Sequence, residues 1–320
     1  MIRDARQPAT LPLVSAIIPT YNRAKVVTDA IDSILHQTYG RVELIVVDDG
    51  STDETQEVLG KYGDRIIVIR QENAGPSAAR NRGIAAAHGE FVGFLDSDDV
   101  WLPTKLEKQV ALLTKCDESV PCCLCNIMMN WSDGGRSSFD IAWLSIEQPE
   151  GIWTNVSEVV ATRFVLLNQG VLIRRSALQR LGGFDESLRY LEDHDLTLRM
   201  SLLGPWGILR EPLVIWRETK GSCYKVATAQ RSSLETAPWI EILERQLARV
   251  PKDGEYSKLR RHLTREVKRA RRHYRGERLS QSPSFAGMLA GKLLLKLEKY
   301  RSSVFRRSPW FPTVQIEAAK

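Results

Sequence analysis

Val14 to Ile18 (VSAII) is a short apolar run rich in β-branched residues, closed by Pro19, and its pattern predicts a buried strand. From Ala24 to Gln37 the period changes. Val26, Val27, Ala30, Ile31, Ile34 and Leu35 recur at helical spacing and predict an amphipathic helix. The alternation then repeats, with strands expected at Val42 to Val47, Arg65 to Ile69 and Glu90 to Leu95, and helices near Asp53 to Tyr62, Pro76 to Ala87 and Pro103 to Lys115. Strand and helix alternating at this spacing predict an α/β fold with a mostly parallel sheet and helices on both faces.

Ligands of such sheets bind beyond the carboxyl ends of the strands. The polar residues gather there: Thr20, Tyr21 and Asn22 after the first strand, Asp48 and Asp49 after the second, and Asp96, Ser97 and Asp98 after the fourth. Beyond Cys116 the alternation weakens to a strand near Cys122 to Met129, a polar excursion through Trp131 to Ser138, and shorter elements to about Tyr224. From Ala237 the chain is basic and helical in composition, with Pro251 and Gly254 marking a break, and no internal repeat occurs.

Charge changes the picture of that last segment. The chain has 320 residues, 43% of them hydrophobic, and a net charge of +6. From Glu241 onward 20 Lys and Arg face 8 Asp and Glu, a net +12, so the first 240 residues carry −6. A basic tail points to nucleic acid, an anionic membrane or a solvated helical surface. Within it Phe285, Met288, Leu289, Leu293, Leu297 and Tyr300 fall at helical spacing beside Lys292, Lys296, Lys299 and Arg301. That is the pattern of a helix lying on an anionic bilayer, and equally of one packing on the fold or on a second copy, with the bilayer narrowly preferred. The first 19 residues, with Arg3, Asp4, Arg6, Pro12 and Pro19, resemble neither a secretion signal nor a span, and no other stretch reaches the roughly 18 apolar residues of a transmembrane helix. The expected location is therefore cytoplasmic, at the inner face of the cell membrane. Five cysteines include Cys122, Cys123 and Cys125 in VPCCLCNIMM, which matches neither a zinc spacing nor a disulfide framework and predicts a buried strand.

Three short stretches carry candidate chemistry. GEFVGFLDSDDVW sets Asp96, Asp98 and Asp99 within four positions at a strand end, where like charges repel unless a cation lies among them. Oxygen-only ligands favour a hard dication, Mn2+ or Mg2+, whose shell is completed by waters or substrate phosphates. In Asp48-Asp49-Gly50-Ser51 two adjacent carboxylates exceed what a helix cap requires. Leu191-Glu192-Asp193-His194-Asp195 supplies a second acidic cluster, in which helix-dipole stabilisation accounts for Asp195 and a structural role for His194.

VSAIIPTYNR, LIVVDDGSTDET, ENAGPSAARNRGI, GEFVGFLDSDDVW, LGGFDE and LEDHDLTLR, in this order, resemble the family 2 glycosyltransferases over roughly Leu13 to Trp216. That resemblance implies a GT-A (Rossmann-like) fold and inverting sugar transfer from a nucleotide diphosphate sugar, UDP-linked in the expected case, to a carbohydrate or lipid-linked acceptor. It implies a catalytic domain over 13–236, divided into a nucleotide-binding half (13–116) and an acceptor half (117–236), between an N-terminal arm (1–12) and a basic helical extension (237–320). Pro19 and Tyr21 are then expected to frame the base, Asp49 to accept its N3–H, Asp96 to contact the ribose, Arg80 to lie near the nucleotide, Asp98 to hold the metal, and Asp193 to act as catalytic base. The remaining carboxylate, Asp99, is expected to cap the helix introduced by Trp101 and Pro103. Glu218, Thr219 and Lys220 stand where many members carry a histidine, so a third metal ligand is left open.

Two other readings differ in class. A nucleic-acid-associated protein would use the basic tail but give the acidic rim no purpose, since that rim repels phosphate. A catalytically silent nucleotide-sugar binder would have no need of Asp98 and Asp193 together. No nucleic acid partner is expected, and oligomeric state has no sequence signature here.

Overall fold

The computed structural model describes residues 11–131, 134–163, 168–188, 191–219, 233–252, 254–306 and 313–319. The first half alternates as its pattern predicts: β1 (Val14–Thr20), α1 (Val27–Leu35), β2 (Val42–Asp48), α2 (Thr55–Gly60), β3 (Ile67–Arg70), α3 (Pro76–Ala86) and β4 (Phe91–Phe94). A short β5 (Val100–Trp101) precedes α4 (Lys105–Lys115). There follow β6 (Cys122–Trp131), β7 (Gly134–Ser137), α5 (Ser138–Ile141), β8 (Glu150–Trp153), α6 (Val156–Val160), β9 (Val171–Arg174), α7 (Arg175–Leu181), α8 (Glu192–Met200) and β10 (Trp206–Arg217). Helices α9 (Ser233–Arg249), α10 (Ser257–Ser280) and α11 (Phe285–Arg306) and a two-residue β11 (Ile316–Glu317) complete the described chain.

One sheet runs through the molecule in the order β11-β8-β10-β6-β9-β4-β1-β2-β3, with β5 on β10 and β7 on β6. Strands β3, β2, β1 and β4 are mutually parallel, with Val14 opposite Val42 and Thr20 opposite Asp48. β9 enters antiparallel between β4 and β6. Alternate residues of each central strand enter different cores. Ile17, Ile45 and Val47 face one side, whereas Val14, Ala16, Ile18, Leu44 and Val46 face the other. Burial on both faces is why these strands read as unbroken apolar runs. Cys122, Cys123 and Cys125 are buried in β6, as their strand reading anticipates.

Two boundaries differ from expectation for a local reason. β1 continues through Pro19 to Thr20, because the β4 register ends at Phe94 opposite Ile17 and the missing proline N–H falls beyond it. The polar stretch after Trp131 returns as β7, pairing Gly134 with Trp131 and Ser137 with Met128.

The basic tail is not a detached arm. Ile242 and Leu243 of α9 and Leu259, Leu263 and Val267 of α10 belong to the same buried cluster as the sheet. Helix α11 folds back along α10, where a Cβ at Gly291 would lie 2.2 Å from the Ser280 nitrogen, so only glycine permits this approach. Phe285, Leu289, Leu293 and Leu297 remain exposed, from 44 to 74%. Met288 is half-buried, and the side chains of Tyr300 and Arg301 lie outside the described residues. Among the described residues no helix is long and apolar enough to cross a membrane.

Candidate active site

The loops after β1 and β2 are clasped together by side chains. Asn22, in the left-handed region at φ 53°, donates its N–H to Ser51 Oγ at 2.9 Å and accepts from Thr52 N–H at 2.8 Å. Asp53 accepts from Ala24 N–H at 3.2 Å. Ser51 and Asp53 therefore tie one loop to the other, whereas α2 begins at Glu54 without a side-chain cap. Pro19 is half-buried and Tyr21 projects from the rim, 45% exposed.

The two carboxylates after β2 separate in role. Asp48 is fully buried, accepts from Ser51 N–H at 3.0 Å and from the Gln56 amide, and holds the turn. Asp49 accepts from Gln71 Nε2 at 2.8 Å, Ala74 N–H at 2.9 Å and Gly75 N–H at 2.8 Å. It fixes the ENAGP loop that leads into α3. Arg82 of that helix is exposed, while Arg80 points inward and is buried.

Arg80 is the centre of the cluster. Its NH2 donates to Asp96 Oδ1 at 2.7 Å and its NH1 to Glu192 Oε1 at 2.9 Å, so one guanidinium joins the DSD stretch to the acidic cluster almost a hundred residues downstream. These two carboxylates outweigh the opposing effect of burial and hold the guanidinium firmly charged. Asp96 also accepts from Gln169 Nε2 at 2.5 Å. Asp98 Oδ2 accepts from the Thr219 hydroxyl at 2.5 Å and lies 3.8 Å from the Arg23 guanidinium, with 14% of its side chain exposed.

Asp99 departs from expectation. It does not cap α4, because Val100 and Trp101 first form β5, and α4 starts at Thr104 without a side-chain cap. Its Oδ1 accepts the Arg217 N–H at 3.0 Å, pinning the end of β10. Burial, and then Asp96 nearby, push its carboxyl well above the usual range. Within the protein, Arg80 offsets charge at Asp96 and Arg23 lies 3.8 Å from Asp98, Gln169 and Thr219 add hydrogen bonds to them, and burial favours the protonated form of Asp99.

The LEDHD segment is set by the LGGFDE motif before it. Gly183 has φ 73°, and a Cβ there would meet Asn81 Oδ1 at 2.5 Å. Asn81 in turn accepts Phe184 N–H at 2.8 Å and donates to its carbonyl at 2.9 Å, docking the segment on α3. Leu191 then sits in the left-handed region at φ 64°, a strained conformation for a branched side chain, and turns the first residues of α8 toward Arg80. Asp193 is half-buried, and its carboxyl is pushed up to about 7 by desolvation and then by Glu192, with Arg80 acting against the rise. His194 is fully buried against Trp239, ring centroids 4.4 Å apart, and burial lowers it to about 3, so it is neutral. Asp195 pairs with Arg199 at 2.7 Å and Arg249 of α9 at 3.5 Å. Both flanking residues are structural, as their sequence context anticipates.

Gln169, Glu192 as the partner of Arg80, and Arg217 are the site residues that sequence reasoning missed, and Thr219, noted only for standing where many members carry a histidine, was not foreseen as a partner of Asp98. Only Glu192 had a local signal, its place beside Asp193. Lys105 was missed as well. It is fully buried with Nζ 3.9 Å from the Trp101 ring centroid, and burial lowers it to about 8. Trp101 in turn donates its indole N–H to the Gln169 carbonyl at 3.0 Å.

A dication fits this donor set in one way. Among the described residues no three His, Cys, Asp or Glu side chains converge. Asp98 keeps 14% side-chain exposure, and its contacts with the Thr219 hydroxyl and the Arg23 guanidinium both fall on Oδ2. A hard ion bound by one carboxylate and completed by diphosphate oxygens and waters matches that arrangement.

Comparison with known proteins agrees with the fold. The family described as Glycosyl transferase family 2 matches residues 15–181, and the chain belongs to that family. It is similar to an uncharacterized glycosyltransferase of Rickettsia prowazekii (strain Madrid E), 38% identical over 190 residues, 58% of this chain and 57% of that protein. The chain therefore spans less than two thirds of the length of that relative. It is 44% identical over 106 residues, 32% of this chain and 42% of the other, to the putative teichuronic acid biosynthesis glycosyltransferase TuaG of Bacillus subtilis (strain 168). Among solved structures it is similar in fold to S. aureus TarS 1-349 in complex with UDP-GlcNAc, with a TM-score of 0.65 and 21% identity, covering 89% of this chain and 80% of that one. The mixed α/β sheet is thus of the GT-A type.

Proposed function

We infer that the chain is an inverting glycosyltransferase that moves a sugar from a nucleotide diphosphate sugar, UDP-linked, to an acceptor hydroxyl in cell-surface polysaccharide or glycolipid synthesis. One observation carries the reading: Arg80 binds Asp96 and Glu192 at once, which sets Asp193, with its carboxyl near 7, against the carboxylate rim. A base poised near neutral pH suits removal of the acceptor proton while the oxygen attacks the anomeric carbon opposite the leaving diphosphate. In this reading Pro19, Tyr21 and Asp49 flank the base, Asp96 and Arg80 the ribose and phosphates, and Asp98 holds Mn2+ or Mg2+. The metal, when bound, stabilises the departing diphosphate charge. Asp49 keeps acceptor capacity for a base N–H, because Oδ2 carries one hydrogen bond and a carboxylate oxygen takes two. The UDP-GlcNAc bound by TarS and the teichuronic acid assignment of TuaG support donor and pathway class.

The same reading places the protein on an anionic membrane. The exposed stripe from Phe285 to Leu297 lies beside exposed Lys292, Lys296 and Lys299, so apolar and cationic groups share one face of α11. Each basic residue near such a surface contributes about 1 kcal/mol. The experiment that tests the enzymatic reading is a screen of nucleotide sugars for metal-dependent thermal stabilisation and hydrolysis, with mass analysis of products formed on added acceptors. Stabilisation by no nucleotide sugar in the presence of Mn2+ or Mg2+ would contradict it.

A further inference from the structure

Lys105 is a buried cation that the chemistry above does not use. It lies fully buried in the first turn of α4, and among the described residues no carboxylate pairs with it. Its Nζ donates to Gln109 Oε1 at 2.8 Å and stands 3.9 Å from the centroid of the Trp101 ring. The thiols near it, Cys123 and Cys125 of β6, are kept neutral by their own burial. Burial lowers the Lys105 amine to about 8, so the fold bears a desolvation cost for a lysine where an apolar side chain would have none.

The two groups that Lys105 touches hold two consecutive peptide units. An ammonium has no acceptor, so Gln109 turns Oε1 toward it and keeps both Nε2 hydrogens for carbonyls. Those hydrogens go to the carbonyls of Cys123 and Gly170, each at 2.8 Å, and Gly170 also accepts from Cys125 N–H at 2.9 Å. The preceding carbonyl, that of Gln169, accepts the Trp101 indole N–H at 3.0 Å. Trp101 is itself seated on β4, where a Cβ at Gly93 would meet its Cη2 at 2.8 Å. Strand β9 begins only at Val171, so side chains fix the backbone of Gln169 ahead of the ladder. The amide of that same residue reaches Asp96 Oδ2 at 2.5 Å, while Oδ1 takes Arg80. Lys105, Trp101 and Gln169 thus form an unbroken path of contacts to the Asp96 carboxylate.

We propose that Lys105 is a positioning residue for the donor site: through Trp101 and Gln109 it holds the Gln169–Gly170 segment, and with it the Gln169 amide that orients Asp96. The proposal rests on the nucleotide-sugar reading above and names what holds its Asp96 in place. Because Arg80 keeps its own bond to Oδ1, loss of Lys105 loosens only the Oδ2 side of the carboxylate.

Energetic coupling along such a path is shown by a double-mutant cycle. UDP affinity in the presence of Mn2+ is measured by calorimetry for the parent, Lys105→Met, Gln169→Leu and the double variant. Lys105→Met is expected to weaken UDP about tenfold in the parent background and by less than about twofold once Gln169 is already leucine. Its melting temperature should stay within a few degrees of the parent, since the lost hydrogen bond is offset by relief of the buried charge. In 15N-labelled protein without UDP, the Gln169 side-chain amide signal, assigned by its loss in Gln169→Leu, should move in Lys105→Met. Parental UDP affinity in Lys105→Met, the same loss in both backgrounds, or an unmoved Gln169 signal would each overturn the positioning role. If Lys105→Met does not fold, Trp101→Phe removes only the indole donor one link nearer to Asp96. It should weaken UDP in the same background-dependent way, and parental affinity there would overturn the path. A parent that binds no UDP counts against the donor site itself, whereas UDP binding that is indifferent to Lys105 removes this proposal and leaves the donor site standing.

Discussion

Arg80→Met removes one buried cation while keeping most of the side-chain volume, and its consequences follow from the two bonds that Arg80 makes. Breaking a buried ion pair by deleting one partner costs about 3–5 kcal/mol. Two features lower that figure. Arg80 Nε is buried without a hydrogen-bond partner, so its removal recovers part of a desolvation cost of about 1–3 kcal/mol. Asp96 and Glu192 also keep 30% and 15% side-chain exposure, so neither is stranded in a dry interior. A net loss of about 2 kcal/mol remains, which lowers the melting temperature of a 320-residue chain by about 3 °C. The substitution also acts on Asp193, whose carboxyl near 7 is held down by the Arg80 charge. Without that charge it rises, on the order of one unit. Because the base must be ionised to accept a proton, the acid limb of the kcat/KM profile moves to higher pH by the same amount. Thermal melts and a pH–rate profile of metal-dependent sugar transfer measure the two effects. An unchanged profile, or one displaced to lower pH, would refute the role of Arg80 as the charge that sets Asp193.

Three further outcomes are expected. Asp98→Ala abolishes Mn2+-dependent UDP binding in calorimetry, whereas Asp99→Ala retains it and loses about 1–3 kcal/mol of stability by orphaning the Arg217 N–H; equal binding losses would contradict the division. The Asp193 carboxyl is higher in the folded chain than the ordinary value of about 3.9, so the folded state holds the proton more tightly; its stabilisation is complete at acid pH and lost as pH rises toward about 7. Melting temperature should fall across that interval, and the fall should be smaller in Asp193→Asn. Leu289→Glu/Leu293→Glu, on the exposed stripe of α11, should end co-sedimentation with anionic vesicles at low salt without shifting the melting temperature, and vesicle binding equal to that of the parent would remove the membrane role.

The first half of the fold was legible because its central strands are buried on both faces and its helices have one apolar side. Ile17 and Ile18 enter opposite cores, so the middle of β1 had to be apolar on both faces. The acidic rim was legible for a related reason, since Asp49, Asp96 and Asp98 immediately follow such runs. Their partners were not. Gln169 reaches Asp96 only because β9 inserts antiparallel between β4 and β6, a long-range pairing that no local pattern encodes. Thr219 reaches Asp98 across 121 residues for the same kind of reason. The cap assigned to Asp99 failed because Val100 and Trp101 pair with Ile215 and Val214 before α4 begins. In the tail, abundant charge hid the periodic apolar residues of α9 and α10, and Ile242, Leu243 and Leu263 are fully buried.

The central claim is that Asp193 takes the acceptor proton beside a nucleotide-sugar site organised by Arg80. Asp193→Asn keeps the shape of the side chain and removes its basicity. Measured side by side with the parent, the variant should lose sugar transfer while its UDP affinity in the presence of Mn2+ stays within a few fold. Transfer retained near the parental rate would contradict the claim and take Asp193 out of the mechanism.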